Sequence, residues 1–134
     1  MSLGKAAVTP QSFLSFDFSL KRVGVASGNS LTKSATSLKT ITAEGDARFA
    51  ALAELIAEGQ PAALVVGVPF HPDGAAHDNT RRAQRFARQL AGRFGLPVHE
   101  VDERYTSTEA RAQGERDVDA GAAALILEQF LREQ

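Results

Sequence analysis

One carboxylate in an apolar place constrains this chain more than any other feature. Phe13-Leu14-Ser15-Phe16-Asp17-Phe18 has the composition of a strand aimed at a core, yet it carries Asp17. After Ser19-Leu20-Lys21-Arg22 the chain runs out again as Val23-Gly24-Val25-Ala26, so the segment is one arm of a hairpin. Burying a lone carboxylate costs several kcal/mol or forces it to take up a proton. A fold that keeps Asp17 must therefore leave it half-solvated at the strand end, pair it with Lys21 or Arg22, or offer it a metal cation.

The rest of the chain supplies the layers such a strand needs. Residues 1–11 are small and polar around Pro10 and are expected to form a loose arm. Strands are expected over 12–18 and 21–28, with a third, edge-like strand over 33–41. Phe49, Leu52, Ala53 and Ile56 recur at helical spacing until Gly59 and Pro61 stop them. Ala62-Ala63-Leu64-Val65-Val66-Gly67-Val68 is apolar without alternation, as in a strand covered on both faces. A second helix over 79–94 has Ala83, Phe86, Ala87, Leu90, Ala91 and Phe94 on one stripe, and Gly95 caps it. A short strand, Val98-His99-Glu100-Val101, leads to Asp102-Glu103-Arg104. Thr106 with Glu109 forms a capping box for a short helix broken near Gly114. A last helix over 117–132 carries Ile126 and Phe130 inward. This order predicts a single α/β domain over residues 1–134: an antiparallel meander, then parallel strands, with helices on both faces.

Composition removes several classes. The 134 residues hold no cysteine, which excludes a disulfide scaffold, a cysteine–zinc site and a cysteine nucleophile. No apolar run approaches the ~20 residues of a membrane helix. No signal peptide is expected, and a cytoplasmic location is the default. A net charge of −1 excludes a uniformly basic nucleic-acid binder. Yet no acid interrupts the stretch from Asn79 to His99, which carries Arg81, Arg82, Arg85, Arg88 and Arg93. Such a block either contacts phosphates or is the solvated face of the helix.

Two further acids share the anomaly of Asp17. Positions 119, 126 and 130 project from one face of the last helix, so Asp119 lies on the stripe of Ile126 and Phe130. Asp102 and Glu103 follow a short strand, where α/β sheets place their sites, and point to opposite faces, so only one of them can join a cluster. If the fold gathers these acids they repel one another unless a divalent cation intervenes. Oxygen ligands suit Mg²⁺ or Mn²⁺, and a pair of such ions can activate water and stabilise the leaving oxygen in phosphodiester hydrolysis. His71 and His77 share a loop with Asp73 and Asp78, for which a polar surface loop is the simpler account.

These segments resemble the YqgF family, the pre-16S ribosomal RNA nucleases related to Holliday-junction resolvases. The matching pieces are the hairpin from Phe16 to Ala26, Val65-Val66-Gly67-Val68-Pro69 with Asp73-Gly74, Phe94-Gly95-Leu96-Pro97-Val98, the segment from Asp102 to Ala110, and Asp117-Val118-Asp119-Ala120. The resemblance implies a ribonuclease-H-like mixed sheet and an acidic site of Asp17, Glu103 and Asp119 holding Mg²⁺ or Mn²⁺. It implies maturation of the 5′ end of small-subunit ribosomal RNA in the bacterial cytoplasm, with branched DNA the older substrate inference. Lys21, Arg22, Arg81, Arg82 and Arg104 are then the candidates to bind the nucleic acid. Monomer and homodimer both stay open. Two departures stand out. Ser19 replaces the family's usual glycine, and the segment from Ala110 to Arg116 is short, with Arg111 and Arg116 as its bases.

Two other classes compete. An ATP-binding relative of the actin and sugar-kinase group opens with a similar hairpin but needs two such domains. A non-catalytic RNA-binding module would use the arginines, but has no use for acids that repel phosphate.

Overall fold

The computed structural model describes residues 10–70, 73–103 and 118–133. Five strands, β1 (Ser12–Phe18), β2 (Val23–Asn29), β3 (Ala35–Ile41), β4 (Ala63–Pro69) and β5 (Val98–Glu103), form one sheet in the order β3-β2-β1-β4-β5. β1 pairs antiparallel with β2 and parallel with β4, and β4 pairs parallel with β5. The expected meander and parallel half therefore meet at β1. Three helices are seen among the described residues: α1 (Gly45–Gly59), α2 (Asp78–Phe94) and α3 (Val118–Arg132). The short helix and capping box expected over 106–114 lie outside the described residues, as do residues 1–9 of the expected arm. Gln11 is tied to Ser30, its N–H donating to Ser30 Oγ at 2.9 Å and its carbonyl accepting from the Ser30 N–H at 2.9 Å.

The alternation of β1 sorts the two layers. Leu14 and Phe16, with Phe18 against them, join Leu52 of α1 and Ala83, Phe86 and Leu90 of α2 in the larger core. Phe13 turns the other way and packs edge-on against Phe130 of α3, ring centroids 5.3 Å apart. Ser15, fully buried on that second face, donates its hydroxyl to the Ala123 carbonyl at 2.7 Å and so is itself satisfied under α3. Asp17 is next on the same face. β4 is buried from Ala63 to Val68, as a strand covered on both sides must be.

Local chemistry explains the departures from the expected elements. α1 runs through Gly59, as expected, and Gln60 rather than the glycine caps it. Gln60 takes the left-handed position (φ 46°), its N–H donates to the Ile56 carbonyl, and its side-chain amide donates to the Ala57 carbonyl at 2.9 Å. Ala53 faces solvent, and Ala51 and Leu55 fill the contact expected of it. Ala91 of α2 is likewise exposed. α2 begins one residue early because His77 caps it: its Nδ1 accepts from the Asn79 N–H at 3.1 Å, while Thr80 Oγ1 accepts from the His77 N–H at 3.0 Å. Thr80 also donates to the carbonyl of Pro69, locking the start of α2 to the end of β4.

The β1–β2 turn is held from inside and beneath. Ser19 Oγ donates to the Arg22 carbonyl at 2.9 Å and accepts from its N–H at 3.1 Å. Ser19 is not among the residues with positive φ, so serine serves where the family usually has glycine. Below the turn, Arg48 is buried and donates to the carbonyls of Leu20 and Ala43, each at 3.0 Å.

Gly24 marks the closest approach of helix to sheet. A Cβ there would run into the backbone carbonyl of Asp119. Gly24→Ala is expected to cost about 1–3 kcal/mol in urea unfolding, the usual penalty of overpacking against something that cannot yield. Gly92→Ala is the control: that position meets nothing, and alanine in a helix gains roughly 0.5–1 kcal/mol over glycine. Equal midpoints for the two variants would show that α3 does not press on β2.

Candidate acidic active site

Asp17 stands in one row across the sheet, Gly24–Asp17–Gly67–Val101. Both of its cross-strand neighbours are glycine, and the space of the missing side chains is used. At Gly67 a Cβ would strike Glu103 Oε2 and Ile126; at Gly24 it would strike the first turn of α3 at Asp119–Ala120. The two glycines thus let Glu103 from β5 and Asp119 from α3 close in on Asp17 from opposite sides. All three acids share the α3 face of the sheet.

Electrostatics at the site follow from burial. Asp17 is pushed up from the usual carboxylate range to about 7, first by loss of water and then by the charge of Asp119, while its contact with Glu103 works in the other direction. Glu103 is pushed up to about 9, by burial first, then by the charge of Asp17 and the contact with it. As two carboxylates the pair repels; a proton shared between them turns the contact into a hydrogen bond. Glu103 is 8% exposed, and among the described residues its Oε2 is the buried side-chain oxygen without a hydrogen-bond donor.

Asp119 occupies the mouth. Its Oδ2 accepts from Arg22 Nε at 2.9 Å, with the two side chains 28% and 53% exposed. So exposed a pair is worth about 0–1 kcal/mol, a contact easily exchanged for another. Asp102 lies on the other face of β5 and is exposed, so Glu103 alone of that couple joins the site.

The remaining expected residues divide by position. Lys21 is exposed on the β1–β2 turn next to Arg22. Arg81 and Arg82 are exposed on α2, which packs against the face of the sheet opposite the acids. Arg81 reaches Asp78 at 3.5 Å and Arg82 donates to Asn79 at 3.2 Å. Arg104, Arg111, Arg116 and His71 lie outside the described residues. His77 serves as the α2 cap rather than as part of a loop metal site. Gly24 and Gly67 were missed by the sequence reading. Their signal was present: each interrupts a valine run, Val23-Gly24-Val25 and Val66-Gly67-Val68, and a glycine inside a strand marks close approach by another group.

The donor set tests whether a cation fits. Among the described residues, no three acids or histidines are arranged as they stand to hold a metal ion, and Asp119 is engaged with Arg22. Asp17 and Glu103 do meet, with no cationic partner among the described residues and with one oxygen orphaned, and two hard oxygen donors so placed fit a divalent cation of the Mg²⁺ or Mn²⁺ type.

Known proteins place this architecture. The chain is 66% identical over 126 residues to a protein of Albidiferax ferrireducens named "Putative pre-16S rRNA nuclease", covering 94% of this chain and 81% of that one. It is 65% identical over 122 residues to the protein of the same name from a Polaromonas species, covering 91% and 88%. The corresponding Burkholderia vietnamiensis protein is 51% identical over 139 residues, covering 96% and 93%. Among solved structures, Thermus thermophilus RuvC in complex with Holliday junction substrate superposes with a TM-score of 0.57 at 15% identity, covering 92% of this chain and 94% of that one. That likeness makes the fold ribonuclease-H-like. The sequence pattern of RuvX, described as a Holliday junction resolvase, matches residues 11–133, and the chain belongs to that family.

Proposed function

We propose that this protein is a divalent-metal-dependent endonuclease that hydrolyses phosphodiester bonds of precursor 16S ribosomal RNA at its 5′ end, in the cytoplasm. The observation that carries the reading is the Asp17–Glu103 pair, two carboxyls buried against each other with Oε2 unsatisfied. A protein selected for stability alone gains nothing from such a pair, and a nuclease does. The names of the relatives supply the RNA substrate. The family description supplies a second one, branched DNA, which makes it the comparison arm of any assay.

Asp17 and Glu103 would hold the cation, with Asp119 as the third acid at the mouth. When bound, Mg²⁺ or Mn²⁺ supplies charge stabilisation at the phosphoryl oxygens and a more acidic water. The chain's own groups do the rest. Burial beside Ile126 restricts water around Glu103. Arg22 neutralises Asp119 until a phosphate arrives. That phosphate then competes for the guanidinium, which binds it as well as it binds a carboxylate. Lys21 on the same turn offers a second cation to the backbone.

Asp17→Asn is expected to lower Mn²⁺-dependent cleavage of a structured RNA by at least about a hundredfold, since even outer-shell changes at metal sites cost 10–100-fold. A variant that cleaves normally would remove Asp17 from the reaction. Arg22→Gln is expected to tighten Mn²⁺ binding in the absence of RNA, read by titration calorimetry, and to weaken RNA binding. Unchanged values for both would make the Arg22–Asp119 pair incidental.

Stability should depend on pH in EDTA. The folded-state pKa values of Asp17 and Glu103, about 7 and about 9, stand above the ordinary 3.8 and 4.5. Between these limits the folded chain holds protons that the unfolded chain has released, so stability falls as pH rises through that window. Asp17→Asn should therefore melt higher than the parent at pH 8.5 by roughly 3 °C or more, about what 1 kcal/mol gives at this size, with the gap narrowing towards pH 5. A gap that is constant with pH would mean the pair does not titrate as a unit.

A further inference from the structure

The β1–β2 turn is a ridge with a different surface on each side. Arg22 reaches down one side to Asp119. Leu20 faces the other side and, with Phe18, Phe49, Phe86, Arg82 and Arg85, lines a groove of about 250 Å³ between α1 and α2. Asp17 and Phe18 are consecutive residues of one strand pointing to opposite faces, so the groove begins one residue from the acidic site.

We propose that this groove seats one unpaired nucleotide of the RNA substrate, its base against Leu20 and the phenylalanine wall and its phosphate on Arg82 and Arg85. The proposal rests on the nuclease reading above. Charge is the first argument. No Asp or Glu lines the groove, and among the described residues neither Arg82 nor Arg85 is paired with a carboxylate. Among the described residues, the hydrogen-bond partner of Arg82 is the neutral Asn79 amide. Glu44, whose charge is felt by Arg48, stands outside the lining. The occupant is therefore anionic.

Shape is the second argument. At about 250 Å³ the groove falls below the ~300–1,000 Å³ of a complete small-molecule site and suits one unit of a longer chain. Leu20 keeps 54% of its surface in water, a large apolar side chain held out at the rim by the Arg48 hydrogen bond to its carbonyl. The faces of Phe18 are taken by Phe86, stacked at 4.8 Å, and by the Arg48 guanidinium at 5.5 Å. Leu20 and the half-buried Phe18 and Phe49 are thus the apolar surface offered to a base, with buried Phe86 behind them. A duplex keeps its base faces stacked and cannot enter; an unpaired nucleotide can. A strand lying across Lys21 and Arg22 would thus be gripped on both sides of the ridge.

Two RNAs test this in EDTA by fluorescence anisotropy: a blunt hairpin, and the same hairpin with a single-stranded tail. Wild type should bind the tailed RNA more tightly. Arg82→Ala/Arg85→Ala should lose that increment, at least fivefold, and flatten the log–log salt slope for the tailed RNA by roughly 0.7 per lost contact, while binding of the blunt hairpin changes less than twofold. Leu20→Asp should lose the same increment. All three side chains are exposed, so melting temperatures should stay near wild type. Equal losses on both RNAs, or none, would overturn the groove while leaving the nuclease reading in place. So would a groove that binds an acidic peptide in preference to the tail. Failure of wild type to bind either RNA in EDTA, together with failure to cleave either in Mn²⁺, would overturn both.

Discussion

The contact between Asp17 and Glu103 is the interaction on which the arrangement of this protein turns. Two carboxyls buried side by side oppose folding, since each loses water and the charge of Asp17 raises the pKa of Glu103 further. The fold carries that penalty on a sheet whose remaining interior is well satisfied. Ser15, one step along the same face of β1, has its hydroxyl bonded to Ala123. The unsatisfied oxygen of Glu103 is therefore local to the site, in the space that Gly67 leaves open.

Glycine is what makes the contact possible. Any side chain at Gly67 would occupy the volume taken by the Glu103 carboxyl and Ile126, and any at Gly24 would push away the first turn of α3. Asp17 is thus approached along the sheet from both sides, by a strand that is parallel to it two places away and by a helix that crosses above it. Positions that carry no functional group set the distances between those that do.

The same economy of position explains why charge is sorted by face. The acids, with Arg22 across the mouth, share the α3 layer. The α2 arginines lie on the opposite layer, with aromatic residues between them and β1. Only the β1–β2 turn is common to both, and Arg48 ties that turn, through the Leu20 carbonyl, to the Ala43 carbonyl ahead of α1. Arg48 was invisible as a structural residue in the sequence because an arginine on an amphipathic helix is ordinarily solvated; here burial lowers its pKa and backbone carbonyls take its protons' hydrogen bonds.

Much of this was legible in the residues alone. Period-two and period-3.6 patterns, with an unbroken apolar run for β4, located the five strands and three helices of the described residues, because burial on one face or on both leaves those marks in a sequence. The cost of burying acid singled out Asp17 and placed Asp119 inward, and strand alternation allowed only one of Asp102 and Glu103 to join them. What the sequence could not decide was distance across the sheet. The strand order, with β4 inserted beside β1, brings Glu103 to Asp17; the packing of α3 on Gly24 brings Asp119 near and lets Arg22 claim it. Nor could helical periodicity say which face of the sheet α2 would cover, and that choice separates Arg81 and Arg82 from the acids. Local pattern follows from each segment's own need to bury apolar surface, whereas the meeting of acids 86 and 102 residues apart depends on how the layers stack, which no single segment determines.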